Sequence, residues 1–171
     1  MKAGILTASD RSSRGERDDE SGPLLKKLAE SLPAEIVYYQ ILPDDKEILK
    51  SALCHMSNEL NCDLILTTGG TGLSPRDNTP EATKEIIEKE IPGIAEMLRQ
   101  TGSSKTPFAI LSRGVAGIRG NTLIVNFPGS PKAVLEGFEQ LKSILPHAVS
   151  LLQGKVKDCH SHHSLQGARR L

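Results

Sequence analysis

The sequence predicts an α/β domain built on a parallel sheet with crossover helices. Short β-branched runs alternate along the chain with longer segments of helical periodicity. One of those runs, DLILTT at 63–68, has the continuous apolar centre of a strand covered on both faces. The length of 171 residues suits one ordinary domain.

The first strand is expected over Ala3–Ala8, followed by a helix over Pro23–Ser31 with Leu24, Leu25, Leu28 and Leu32 along one stripe. Glu35–Leu42 reads as the second strand. A helix over Asp45–Leu60 would bury Ile48, Leu49, Ala52 and Met56. The third strand, Asp63–Thr68, runs into a glycine-rich loop. The next helix begins near Thr79, with Thr79 as N-cap and Pro80 at the first helical position. A shorter helix follows over Pro92–Gln100. Strand-like runs at Phe108–Ser112 and Thr122–Phe127 flank RGVAGIRGN, either as a hairpin or apart in the sheet. The last helix covers Pro131–Leu152, bent at Pro146. The folded domain is thus expected over 1–154, with a polar, flexible tail at 155–171.

Composition narrows the function. Lys plus Arg and Asp plus Glu both total 21, so no global attraction draws the chain to nucleic acid or to an acidic membrane. With 37% apolar and 25% charged residues the chain can bury a core, which argues against wholesale disorder. Two Tyr, three Phe and no Trp leave little for base stacking. No apolar run spans a bilayer, and the start lacks the apolar core of a signal peptide. Cys54, Cys62 and Cys159 are odd in number without CxxC spacing, which fits a reduced, cytoplasmic protein.

In such sheets ligands bind beyond the carboxyl ends of the strands. The segments expected there are Ser9-Asp10-Arg11, Leu42-Pro43-Asp44-Asp45, TGGTGLSPRDNT at 68–79 and FPGSPK at 127–132. Gly69, Gly70 and Gly72 let backbone approach a phosphate closely, and Thr71 and Ser74 add hydroxyls. GGTG alone serves equally as a tight strand-to-helix turn; the following Arg76-Asp77 is what favours a site. It is neither a Walker A loop nor GxGxxG. Asp44 and Asp77, on separate loops at one sheet edge, suit Mg²⁺ or a polar ligand, or else helix capping. Gly129-Ser130-Pro131 is a capped helix start that also suits an anion. Arg113 and Arg119 are phosphate ligands or solvated surface residues. The histidines lie in helices (His55, His147) or the tail (His160, His162, His163), which gives a histidine base poor support.

With SDRSSRGERDDESGP, LPDD, TTGGTGLSPRDNTPEAT and PFAILSRGVAGIRGNTLIVNFPGSPKAV, the chain resembles the molybdopterin-binding Mog/MoaB family, which includes the gephyrin G domain, from about residue 2 to 153. The resemblance implies a doubly wound, mostly parallel sheet flanked by helices, usually assembled as a homotrimer. It implies molybdenum cofactor biosynthesis: adenylylation of molybdopterin by Mg²⁺-ATP, with release of pyrophosphate. Gly69, Gly70, Thr71 and Gly72 would line the phosphate site. Pro128, Gly129 and Ser130 would hold the adenine end, with Ser9 at the first strand end. Asp44 and Asp77 match functionally important aspartates for metal or pterin, and Ser112 matches a serine tied to pterin binding or turnover. Product hand-over to a molybdate-insertion protein would follow. The alternative is a non-catalytic binding or carrier paralogue.

Overall fold

The computed structural model describes residues 1–155. Along them run β1 (Lys2–Ala8), α1 (Asp10–Ser13), α2 (Ser21–Ala29), β2 (Glu35–Leu42), α3 (Lys46–Asn58), β3 (Leu64–Thr68) and α4 (Thr79–Lys84). Then follow β4 (Lys89–Glu90), α5 (Pro92–Ser103), a 3₁₀ turn (Pro107–Leu111), β5 (Ala116–Arg119), β6 (Thr122–Phe127), α6 (Pro131–Leu141) and α7 (Ile144–Leu152). One sheet takes the order β2–β1–β3–β6–β5–β4. β2, β1, β3 and β6 are parallel, whereas β5 is antiparallel to β6 and to β4. This is the doubly wound, mostly parallel arrangement the resemblance implies.

Strand side chains alternate between two cores, as the period of two demands. Ile5, Leu64, Leu66, Leu123, Val125 and Phe127 pack under α2, α5, α6 and α7. Leu6, Ile65 and Ile124 point to the other face, against Leu49, Leu53 and Met56 of α3 and Ala82 of α4. β3 is buried throughout, as its apolar run predicts.

Five local expectations are corrected. Phe108–Ser112 is not a strand: Pro107 starts a 3₁₀ turn, and Phe108, Ile110 and Leu111 are exposed rather than paired in the sheet. The hairpin partner of β6 is β5, inside the intervening segment, joined through Gly120 at φ 54° and Asn121. Thr79 is not the N-cap. Asn78 occupies that position, and the buried Thr79 hydroxyl donates instead to Gly69 O at 2.9 Å. Ile48 is exposed; Leu49, Ala52, Leu53 and Met56 form the buried stripe of α3. The last helix breaks at Lys142–Ser143 rather than bending at Pro146. A continuous helix would need a Pro146 N–H to reach Lys142 O, and proline has none, so Pro146 sits in the first turn of a new helix. Of the tail expected at 155–171, residues 156–171, with Cys159 and its neighbouring histidines, lie outside the described residues.

Phe138 of α6 is fully buried, its ring 6.4 Å from that of Phe127 at the end of β6. Phe138→Ala is expected to cost about 3–5 kcal/mol, read as a lower urea midpoint. Ile48→Ala, at the corrected exposed position, is expected to stay within about 0.5 kcal/mol of the parent. Equal losses would contradict the assignment of α3's buried face.

Candidate active site

β1 sends its chain to β2 on one side and pairs with β3 on the other, so the sheet changes winding direction between β1 and β3. Loops diverge there and leave a crevice at the carboxyl ends of the strands. The glycine-rich loop crosses this point. Gly69 and Gly70 hold φ values of 88° and 60°, which glycine adopts without a steric penalty. A Cβ on Gly69 would collide with the Ala8 carbonyl oxygen, and one on Gly70 would lie 2.5 Å from Thr79 Oγ1 and 2.6 Å from Asp44 Oδ1.

Neighbouring side chains sew the loop in place. The Thr79 hydroxyl donates to Gly69 O, and its amide donates to Gly70 O at 3.1 Å. Thr68 Oγ1 donates to Pro128 O at 2.7 Å, tying β3 to the loop after β6. Arg113 commits its guanidinium to the loop: Nε donates to Gly72 O at 2.6 Å, Nη2 to Asp77 O at 2.7 Å, and Nη1 pairs with Glu81. Of the two sequence alternatives for Arg113, neither a phosphate ligand nor a solvated residue describes this role. The signal for it was weak, since a lone arginine after Ser112 looks like any other.

A cleft of about 450 Å³ opens beside the loop. Gly70, Thr71, Gly72 and Asp77 form one edge, and Ser112 with Pro128–Ser130 closes the others. Leu98, Phe108, Ala109 and Leu111 make an apolar wall. Sequence reasoning missed that wall because it took Phe108–Ser112 for a strand; Pro107 just before it was the available signal. A smaller, polar cavity of about 170 Å³ lies behind, with Thr7, Ser9, Ser12 and Asp19 among its lining residues. Gly129 borders both cavities, and a Cβ there would lie 3.2 Å from Gly69 Cα. Ser9 is therefore apart from the main cleft, where its Oγ caps α1 by accepting from Ser12 N at 3.1 Å. Ser130 accepts from Ala133 N at 3.2 Å, capping α6 at the cleft edge.

The two aspartates differ. Asp45, not Asp44, caps α3, accepting from Glu47 N and Ile48 N at 3.0 Å. Asp44 is buried beside Gly70, its Oδ2 accepts from Asp10 N at 2.9 Å, and its Oδ1 has no hydrogen-bond partner. Burial raises its carboxyl above the usual range, and the nearby Asp10 and Asp77 charges add to the effect. Asp77 is less buried; its Oδ2 accepts from Ser74 N at 2.9 Å and closes the 74–77 turn. The structure thus brings Gly70, Thr71, Gly72, Asp77, Ser112, Pro128, Gly129 and Ser130 around one cleft, sets Gly69 and Asp44 against its floor loop, and leaves Ser9 in the adjoining cavity.

A family profile described as a probable molybdopterin binding domain matches residues 4–147. The chain belongs to the molybdopterin-binding Mog/MoaB family. A member from Helicobacter pylori named molybdopterin adenylyltransferase is 44% identical over 154 residues, covering 88% of this chain and 87% of its own. One of the same name from Escherichia coli K12 is 37% identical, with 90% and 86% covered. Among solved structures of Mog/MoaB members, the molybdopterin biosynthesis enzyme MoaB of Thermus thermophilus superposes with a TM-score of 0.84. It is 49% identical, covering 90% of this chain and 96% of its own.

The raised Asp44 pKa makes a prediction with a definite sign for this Mog/MoaB member. The unfolded chain ionises at about the ordinary carboxyl value of 3.8, before the folded one does, so ionised Asp44 weighs against folding increasingly as pH rises from there through the folded pKa. In EDTA, Asp44→Asn is expected to raise the urea midpoint at pH 7, with the gain shrinking as pH falls through the raised folded pKa and gone once pH is below the ordinary value of 3.8. A less stable variant at pH 7 would mean that the Asp10 hydrogen bonds outweigh the burial cost.

Proposed function

We propose that the protein is a molybdopterin adenylyltransferase acting in molybdenum cofactor biosynthesis. One observation carries this reading: a single cleft joins an apolar wall to a glycine and hydroxyl edge bracketed by Asp77 and Ser112. Such a cleft accommodates a flat heterocycle at one end and phosphates at the other. The family membership and the names of the relatives supply the chemistry it would serve.

The terminal phosphate oxygen of molybdopterin forms a bond to the α-phosphorus of ATP, the bond from that phosphorus to the β-phosphate oxygen breaks, and pyrophosphate leaves. That oxygen is ionised at neutral pH, so the reaction needs alignment and charge stabilisation rather than a general base. No histidine lines the cleft among the described residues, in keeping with this requirement. In this proposal Gly69–Gly72 cradle the phosphates through their close backbone approach. Pro128–Ser130, with Ser9 behind, take the adenine end. Ser112 and Asp77 position the pterin, whose ring rests on Leu98, Phe108 and Leu111.

Mg²⁺ fits what the chain offers. Asp44 Oδ1 is a buried carboxylate oxygen with no partner, and Asp77 is its near neighbour. No group of three or more His, Cys, Asp or Glu gathers as a metal cage among the described residues. One or two carboxylates suit Mg²⁺, which keeps its waters and draws further ligands from phosphate. When bound it would neutralise phosphate charge. Asp44 and Asp77 would hold it, while Arg113 keeps the loop that carries Asp77 in register with the glycines. The reading includes a homotrimer, a cytoplasmic location and hand-over of product to a molybdate-insertion protein. Among the described residues, no helix is long and apolar enough to cross a membrane.

The test is pyrophosphate release from Mg²⁺-ATP with and without purified molybdopterin. Release that requires molybdopterin is expected. Asp77→Ala is expected to lower it at least about 100-fold, with the circular dichroism spectrum retained. Molybdopterin binding without release would assign the chain to the non-catalytic carrier reading. A sedimentation mass of three chains checks the trimer.

A further inference from the structure

We infer that Asp10 and Arg76 are positioning residues that hold the Asp44 carboxylate with one oxygen presented to the metal and phosphates; this rests on the reading just given. Asp10 opens α1 after β1, Asp44 follows β2, and Arg76 lies between β3 and α4, so three loops that are remote in sequence meet at one point. Asp10 and Asp44 are joined twice. The Asp10 amide donates to Asp44 Oδ2 at 2.9 Å, and the Asp44 amide donates to Asp10 Oδ1 at 3.1 Å. Arg76 grips the same Asp10 carboxylate with both prongs, Nε to Oδ2 and Nη2 to Oδ1, each at 2.9 Å.

This arrangement does two things for Asp44. It pins Oδ2, so rotation cannot carry Oδ1 away from the glycine loop, where that oxygen is buried without a partner. It also neutralises Asp10, whose uncompensated charge would otherwise repel Asp44. An exposed ion pair contributes little to stability by itself. With Arg76 more than half exposed, orientation is the effect the pair can deliver. Partners that orient a ligating carboxylate typically matter about 10–100-fold in metal affinity.

The experiment compares the full chain with Asp10→Ala, Asp10→Asn and Arg76→Ala, using calorimetry for ATP binding with Mn²⁺ or with EDTA, and electron paramagnetic resonance of bound Mn²⁺. Asp10→Ala and Arg76→Ala are expected to weaken Mn²⁺-ATP binding about tenfold or more, while metal-free ATP binds within about twofold of the parent. Asp10→Asn retains an acceptor for the Asp44 amide and should fall between parent and Asp10→Ala. A variant carrying both Asp10→Ala and Arg76→Ala should be no worse than Asp10→Ala alone. Arg76→Ala, at an exposed position, keeps the test intact if Asp10→Ala does not fold. Unchanged Mn²⁺-ATP affinity, or an equal loss with and without metal, overturns the inference. A parent chain that binds Mn²⁺-ATP but releases no pyrophosphate with molybdopterin would sink the adenylyltransferase reading and leave the positioning role standing.

Discussion

The molecule depends on a steric constraint at the end of the central strands. The chain leaving β3 passes so close to the last residue of β1 that a side chain on Gly69 would overlap the Ala8 carbonyl oxygen. That closeness is possible only because two successive glycines take left-handed backbone angles. The approach brings the loops after β1, β2 and β3 within hydrogen-bonding reach of one another. The Asp10–Asp44–Arg76 cluster and the Thr79 bonds to Gly69 and Gly70 both follow from it.

Polar groups at this edge are held by main chain as much as by side chains. Arg113 reaches two carbonyls, Thr68 reaches the Pro128 carbonyl, and Thr79 reaches that of Gly69. A loop satisfied in this way keeps its shape before any ligand arrives, which lowers the ordering cost of binding. Three side-chain oxygens among the described residues are buried without a partner, Thr7 Oγ1, Glu81 Oε2 and Asp44 Oδ1. Asp44 adds to this a carboxyl pKa raised by burial, a combination that points to a role beyond packing.

Elements whose signal was periodic were legible. β1, β2, β3 and β6 follow from their apolar runs, and the Ser130-Pro131 start of α6 from its cap. Elements whose signal was ambiguous failed. The run Phe108–Ser112 has the composition of a strand, but Pro107 and the lack of a neighbouring strand partner make Pro107–Leu111 a 3₁₀ turn. The four residues of β5 were overlooked because Gly117 and Arg119 break their pattern, and only pairing with β6 makes them a strand. Ile48 fell on the wrong side of α3 because helical spacing defines a stripe without saying which neighbouring position the sheet will cover.

Within the candidate site the division is sharper. Sequence alone determined which residues gather at the strand ends, since a parallel sheet places every strand-to-helix loop at one edge. It also showed which loops carry the glycines, hydroxyls and carboxylates, and the motifs in them that mark the family. Only the tertiary structure decided that Asp44 is pinned by Asp10 while Asp45 does the capping, that Arg113 is spent on carbonyls, and that Ser9 faces a second cavity. These outcomes turn on distances between segments tens of residues apart, and local pattern carries no information about such distances until the sheet has brought the strands into register.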